Sequence, residues 1–477
     1  MRGRRVLRRF RVLAALSTVS AMAGACMVGP DYVRPPVEQP ARFKSEAIGE
    51  LGPPVPEEWW RLYGEPELDR LITTAVESNQ TLRQAVARVD EARALARVAG
   101  SFLYPTISNN PAFSRTRFSG NRDSAVTGQR VQQGVTVNDW LIPFDLTYEI
   151  DVWGRVRRSF ESARAQAQAS ADDAAAVGLI VETDVTRFYY TLRSLDAQAQ
   201  ILEQSVLAYR EQVRVVSVQF RTGLVGPIVV AQAQAQLQTT VAQQRDILRA
   251  RADLEHALAI LCGRPAPSFA VAVNPLGEVS PPAVPPGLPA QLLARRPDVA
   301  AAEQNLVAAN AQVGVATAEF YPRFMLTSSA GFESADISTV FNWQSRVSSI
   351  LPSVSIPIFQ GGRLRANLDA TKARYRQAVA AYTNQILAAY GDVEDALTDL
   401  RAFTNEVGSL RGAVSASQDY LRFAQAQYKY GLVDYLIVID AERTLLANQL
   451  SLAQTVNLQM VASIQLIKAL GGGWSPQ

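Results

Sequence analysis

Shortages narrow the chemistry of this 477-residue chain before any pattern does. One histidine (His256), two cysteines and five methionines leave too few nitrogen and sulfur ligands for a transition-metal site. No P-loop, no G-x-S-x-G and no paired His/Cys constellation occurs, so the case for an enzyme is poor and no cofactor is expected. His256 lies within "DLEHALAI", where a tolerated helix residue is the plainer reading than a general base. Positive charge is also scarcer than the pI near 8.8 implies. Six of the 47 Lys+Arg fall in the first 25 residues, and without them 41 face 44 Asp+Glu, a balance of −3. No basic surface for nucleic acid is left. Beyond the leader, no apolar stretch approaches the ~20 residues of a membrane helix.

The leader, "MRGRRVLRRFRVLAALSTVSAMAGAC", sets arginines before an apolar run and small residues before Cys26, the order of a secretory signal over residues 1–25. Ala23-Gly24-Ala25-Cys26 resembles a lipoprotein cleavage box with Ala23 where Leu is usual, which makes Cys26 the candidate lipidation site. The alternative is a plain cut near Ala25. Arg8-Arg9-Phe10 reads as a generic basic region rather than a twin-arginine signal. If Cys26 is acylated, Cys262 has no partner for a disulfide.

The mature chain is a tandem repeat. "VQFRTGLVGPIVVAQAQAQL", beginning at Val218, and "AQYKYGLVDYLIVIDAERTL", beginning at Ala426, are offset by 208 residues. The same offset relates Gly154-Arg155 to Gly362-Arg363. Residues 67–263 form repeat 1 and 291–471 repeat 2, after an N-terminal segment 26–66, with a Pro-rich connector at 264–290 and a tail at 472–477. Nine extra residues in the first copy fall most simply in the loop 119–134. In each copy apolar residues step by 4,3,4,3. The first seam runs Val181, Val185, Phe188, Leu192, Leu195, Ala199, Leu202, Val206, Tyr209, Val213, Val216 and Phe220. The second runs from Ala389 to Tyr428, with one polar lapse at Ser417. A sustained 3.5-residue period predicts a left-handed coiled coil. A helix from Val156 to Arg221 would be roughly 100 Å long at 1.5 Å per residue, longer than a globular domain needs. The Ala/Gln/Thr-rich outer faces suit a solvated coiled-coil surface, or a wall with water on both sides.

Before each Gly-Arg the period becomes 2. Phe144, Leu146, Tyr148, Ile150 and Val152 alternate with Asp145, Thr147, Glu149 and Asp151; Val354, Ile356 and Ile358 alternate with Ser353, Ser355 and Pro357. The stretches after Pro105 and Pro322 complete two hairpins, about 105–153 and about 322–360. Their apolar and polar faces have the dimensions of transmembrane barrel strands. A soluble two-sheet core would need further strands to cover the apolar face, and none are read. Phe144, Leu146, Tyr148, Ile150, Val354 and Ile356 are therefore expected to face lipid, and Asp145, Glu149 and Ser355 the lumen. Four strands cannot close a barrel, and lipid tolerates no open edge. Two copies would give an eight-stranded barrel filled by side chains; three would give twelve strands and room for a pore, which a conducting function favours.

At this point the chain resembles a known family. "CMVGPDYVRPP", "EEWWRLYGEPELDRLITTAVESNQTLRQA", "YEIDVWGRVR", "LCGRPAP", "LPAQLLARRPDVAAAE", "FYPRF", "IFQGGR" and "YKYGLVDYLIVIDAER" together resemble TolC-like outer-membrane efflux factors of the lipoprotein (NodT/OprM-type) branch. The resemblance covers nearly all of the mature chain. It implies a mainly α fold with a β-barrel part: a homotrimer with a twelve-stranded barrel in outer-membrane lipid and a long coiled-coil α-helical barrel in the periplasm. It implies a passive export duct for drugs or other small solutes, docked to a periplasmic adaptor and an inner-membrane pump, most simply of the RND type. Gly223 and Gly431 would lie at the helix-turn tips. The channel constriction would fall on Leu436 and Asp440, although Ile439 stands where the family has Leu. Gln232 in the first copy suggests that only the second supplies the gate. The alternative for Asp440 is a solvated acid near Arg443. A coiled-coil spacer would explain the seams but not the hairpins. Ducts for type I protein secretion or metal efflux are the alternatives within the class.

Overall fold

The computed structural model describes residues 27–40, 42–44, 55–121, 134–277, 279–284 and 295–475. Cys26, the leader, and parts of the 119–134 loop and the connector lie outside them. Helices are α1 (Pro66–Ser78), α2 (Gln80–Ser101), α3 (Arg155–Arg221), α4 (Pro227–Leu261), α5 (Pro297–Ala318), α6 (Arg363–Lys429) and α7 (Tyr435–Ala469). The strands are β1 (Thr106–Asn109), β2 (Ala112–Arg117), β3 (Thr136–Ile150), β4 (Arg323–Ser334) and β5 (Arg346–Ser355). The repeat is legible in the helix bounds. α3 and α6 have 67 residues each and α4 and α7 have 35 each, every end shifted by 208.

The chain divides into two compact units, each drawing on both repeats. One comprises Met1–Pro35, Asp90–Ala169 and Glu303–Ala381 and holds the sheet. β3 and β4 pair at its centre, β5 follows β4, and β1 and β2 both pair with β3. All pairings are antiparallel. β1 and β2 keep one register against β3, so they are a single strand interrupted at Asn110-Pro111. Opposite the gap stands Pro143, which has no N–H to give to the ladder. The Asn109 amide closes the break by donating to the Pro143 carbonyl at 2.8 Å. β5 ends at Ser355, so Ile356 and Ile358 lie beyond the strand rather than within it. Pro357 supplies a local reason, since it too lacks a donor.

In the same unit residues 27–34 form a strap. Val28 N–H donates to the carbonyl of Trp153, in the link between β3 and α3, and Asn310 on α5 donates to the Pro30 carbonyl. Asp31 pairs at 2.6 Å with Arg158, whose side chain is only 3% exposed, and Tyr32 and Arg34 both reach Glu303. A Cβ on Gly29 (φ +96°) would come within 2.6 Å of the Gly314 backbone, so that glycine has a steric reason.

The other unit comprises Pro36–Val89, Ser170–Ala302 and Tyr382–Gln477. Its core joins Trp59, Leu68, Leu71 and Ile72 to Val185, Tyr190 and Leu192 of α3, Leu258 of α4, and Ile464 and Ile467 of α7. Each such side chain contributes about 1.5–3 kcal/mol by leaving water. In the first seam Val181, Val185, Leu192, Leu202, Val206, Tyr209 and Val216 are buried, and only Phe220, beside the turn, is exposed. In the second none is exposed, and Ser417 is buried with its hydroxyl satisfied by the Ala413 carbonyl. α7 corrects one expectation. By length and composition it is apolar enough to cross a membrane, but half of that window is buried within the chain, as in a core helix.

Candidate functional site

Two features bear on function: the faces of the sheet, and the helical turns at Gly223 and Gly431.

Register assigns every strand residue to a face. Ile107, Phe113, Trp140, Ile142, Phe144, Leu146, Tyr148, Ile150, Phe324, Leu326, Phe332, Ile350 and Val354 share one. The other carries Ser108, Ser114, Thr147, Thr327, Ser329, Ser349 and Ser353, together with every carboxylate of the strands: Asp139, Asp145, Glu149 and Glu333. Phe144 and Val354 of the apolar face are more than half exposed within the chain. A cavity of about 430 Å³ on the polar face is lined by Ser114, Thr116, Asp139, Glu333 and Val347 among others. Aromatic pairs mark both ends of the sheet, Phe113–Trp140 toward the hairpin turns and Trp153–Tyr321 toward the helices, with centroids 4.4 and 4.7 Å apart. At the helix end Arg155 grips Glu149 through two hydrogen bonds, and Arg157 binds Asp151.

The two turns are built alike. Gly223 has φ +76° and Gly431 φ +71°, the left-handed backbone that only glycine adopts cheaply. Leu224 N–H reaches back to the Gln219 carbonyl and Gly223 N–H to Phe220; Leu432 bonds to Gln427 and Gly431 to Tyr428 in the same way. This is the Schellman termination, which satisfies the last carbonyls of α3 and α6. Two residues on, Gly226 and Asp434 cap α4 and α7 with extended backbones.

Below the second turn Leu436 is 54% exposed and Asp440 is exposed one helical turn further along α7. Tyr420 of α6 donates to Asp440 Oδ2 at 3.1 Å, so the carboxylate's partner is this phenol rather than Arg443. On the opposite side of α7, Tyr435, Val438 and Ala441 pack with Val216 of α3 and Ala424 of α6. Tyr435 is buried with its hydroxyl unpartnered, and Glu442 Oε2 is likewise unpartnered. The Gln212 amide of α3 lies beside both. Burial pushes the Glu442 carboxyl up to about 7. Tyr209 faces the same space, and burial and the nearby Glu442 raise its phenol.

Tyr420 and Glu442 were not singled out from sequence, yet the signal was present. At the offset of 208, Tyr420 corresponds to Gln212 and Glu442 to Gln234, just as Asp440 corresponds to Gln232. His256 is an exposed residue of α4. Cys262 is buried with Sγ 3.7 Å from the Leu71 carbonyl, its thiol pushed up to about 11 by burial. Among the described residues no cluster of three or more His, Cys, Asp or Glu could hold a metal ion.

A family model described as outer membrane efflux protein matches residues 71–264 and 288–472. The toluene efflux pump outer membrane protein TtgI of Pseudomonas putida is 33% identical over 467 residues, 95% of this chain and 97% of that protein. The probable outer membrane lipoprotein SilC of Salmonella typhimurium is 31% identical over 471 residues, 97% of this chain and 98% of its own. The crystal structure of the open state of the Neisseria gonorrhoeae MtrE outer membrane channel superposes with a TM-score of 0.81 at 28% identity, covering 94% of this chain and 98% of that one.

Proposed function

The chain belongs to the outer membrane efflux protein family and is an outer-membrane efflux channel rather than an enzyme, and from that premise we propose that three copies close one export duct. The observation that carries this reading is the sheet, which is largely apolar on one face, acidic on the other, and free at both edges among the described residues. An open edge in lipid would leave unpaired backbone groups costing several kcal/mol each. Joining β5 of one copy to β1 and β2 of the next removes all edges, and three copies give twelve strands with space for water inside. From Trp140 to Ile150, β3 spans roughly 33 Å along the strand and about 25 Å along the membrane normal at the usual tilt, the height of an apolar band.

In this arrangement Phe144, Leu146, Tyr148, Ile150 and Val354 face lipid, while Asp145, Glu149 and Ser355 face the lumen. The turns at Gly223 and Gly431 form the periplasmic tips, and three copies of Leu436 and Asp440 surround the axis as the constriction. The tips dock a periplasmic adaptor, and an RND-type pump in the inner membrane supplies the energy. A conformational change at the tip requires the adaptor to bind the open state more tightly than the resting one. The cargo class is drugs or other small solutes, passed on without chemical change. Acylation of Cys26 adds a second anchor, contributing ~0.8 kcal/mol per buried CH₂. The barrel is the main one.

Cysteine labelling with a membrane-impermeant thiol reagent tests the face assignment. In a Cys26→Ser, Cys262→Ser background exported by a conventional signal, position 147 should react from the aqueous side and position 146 should be protected. Preferential reaction at 146 would reverse the assignment.

A further inference from the structure

The carboxylates of the sheet sort by face more strictly than its apolar residues do. All strand carboxylates lie on the polar face, whereas Arg115, Arg117 and Arg346 lie on the apolar face by register, opposite Asn138, Thr136 and Phe332. No acid of any strand shares that face. The three arginines are exposed and cluster at the hairpin-turn end, just outside the aromatic pair Phe113–Trp140 and beside Phe332–Phe341. Arg346 Nε donates to the Trp343 carbonyl, and its guanidinium lies over the Trp343 ring. Arg323, the remaining strand arginine, is on the polar face at the helix end, near Glu319.

Arg115 and Arg117 belong to one free edge of the sheet and Arg346 to the other. Closing the ring sets those edges side by side, about 4.8 Å apart and antiparallel. The same end of each seam then gathers three like charges from two subunits on the face turned toward lipid. Such a cluster beside a low-dielectric band is unfavourable unless an anion neutralises it. Guanidinium forks match phosphate oxygens bidentately, and adjoining apolar and aromatic surface would cover acyl chains, which a free anion lacks.

We propose that Arg115 and Arg117 of one subunit and Arg346 of the next bind the phosphate groups of the outer leaflet's phosphorylated glycolipid, lipopolysaccharide, at each of the three seams. The proposal rests on the lipid-facing assignment and on the trimer above.

The test uses full-length trimer, stripped of lipid in mild detergent and examined by native mass spectrometry and thermal dissociation. The probes are bisphosphorylated lipid A, its fully dephosphorylated form, and inorganic phosphate. Bisphosphorylated lipid A should bind at least about tenfold more tightly than the dephosphorylated lipid, the gain typical of charge-assisted hydrogen bonds. It should also raise the dissociation temperature. The triple variant R115Q/R117Q/R346Q should lose both effects, while Asp139→Asn on the opposite face keeps them. If the triple variant does not assemble, Arg115→Gln and Arg346→Gln are read singly, and each should reduce the preference. Equal binding of the dephosphorylated lipid, or undiminished binding by the variants, overturns the proposal. Competition by inorganic phosphate at concentrations equal to lipid A also overturns it, in favour of a free-anion site. Unaltered lipid binding combined with changed single-channel ion selectivity in the arginine variants would show that this face lines the lumen, and the face assignment itself would then fall.

Discussion

The two helical turns share one backbone and differ at three polar positions that flank it. At Gly223 and at Gly431 the same pair of backbone hydrogen bonds ends a 67-residue helix, and the same spacing starts a 35-residue one. Around the second turn stand Tyr420, Asp440 and Glu442; at the corresponding positions of the first stand Gln212, Gln232 and Gln234. Both copies keep the backbone geometry and an ion pair on the long helix, Glu211–Arg214 and Asp419–Arg422, while the acids Asp440 and Glu442 stand in one copy only. α7, which starts at the second turn, is also held on two sides, by the Tyr420–Asp440 hydrogen bond to α6 and by packing of Tyr435, Val438 and Ala441 with Val216 of α3. A turn repeated in both copies beside acids placed in one is the asymmetry that the proposed constriction requires.

The largest expected effect comes from removing the charge. Asp440→Ala should raise single-channel conductance several-fold in planar bilayers and weaken both cation preference and divalent block, since in the proposed trimer three carboxylates near one axis would act as one cation-binding ring. Unchanged recordings from intact trimers would leave Asp440 a solvated helix residue and make the two turns functionally equivalent.

Next is the pH dependence of Glu442. Its buried pKa is about 7 against 4.5 for the free side chain. Below pH 4.5 the group is neutral whether buried or exposed. Between 4.5 and 7 burial takes up a proton, and above 7 the buried site holds a charge. The resting arrangement should thus weaken as pH rises through this window, if opening exposes Glu442 to water. Open probability of the wild type should rise between pH 5 and 7, and Glu442→Gln should abolish that rise while leaving Asp440-dependent cation preference in place. A rise that persists in the variant would assign the titration elsewhere.

The smallest difference between the copies should be seen at the glycines. Nothing lies within 4 Å of a Cβ added at Gly223 or Gly431, so only the left-handed backbone resists substitution. Gly223→Ala and Gly431→Ala should each cost about 1–2 kcal/mol, read as near-equal drops in denaturation midpoint. A clearly larger loss at Gly431 would mean that the second turn bears a load its geometry does not reveal.

Much of this architecture was legible in one dimension. The offset of 208 predicts matched helix pairs, the 4,3 seams predict which residues are buried, and the switch to period 2 before Gly154 and Gly362 predicts the hairpins. Those signals are local and periodic, and periodicity follows from helix and strand geometry alone. The Asn110-Pro111 break was legible only in part: Pro111 lacks a donor on its own strand, but Pro143 is set opposite it only by the strand pairing. The end of β5 at Ser355 was legible only through Pro357, since alternation itself runs on through Ile358 although the ladder stops.

By itself, then, the sequence determined the repeat, the period of each segment, the special backbone at Gly223 and Gly431, and the identity of the unrepeated acid Asp440. Only the tertiary structure decided that Asp440 pairs with Tyr420, that half-buried Glu442 has one carboxylate oxygen shut off from water, and that Arg115, Arg117 and Arg346 share a face free of strand carboxylates. Periodicity fixes which side of its own element a residue occupies. Which groups meet there, and how far water is excluded from them, depends on neighbouring elements brought from distant parts of the chain.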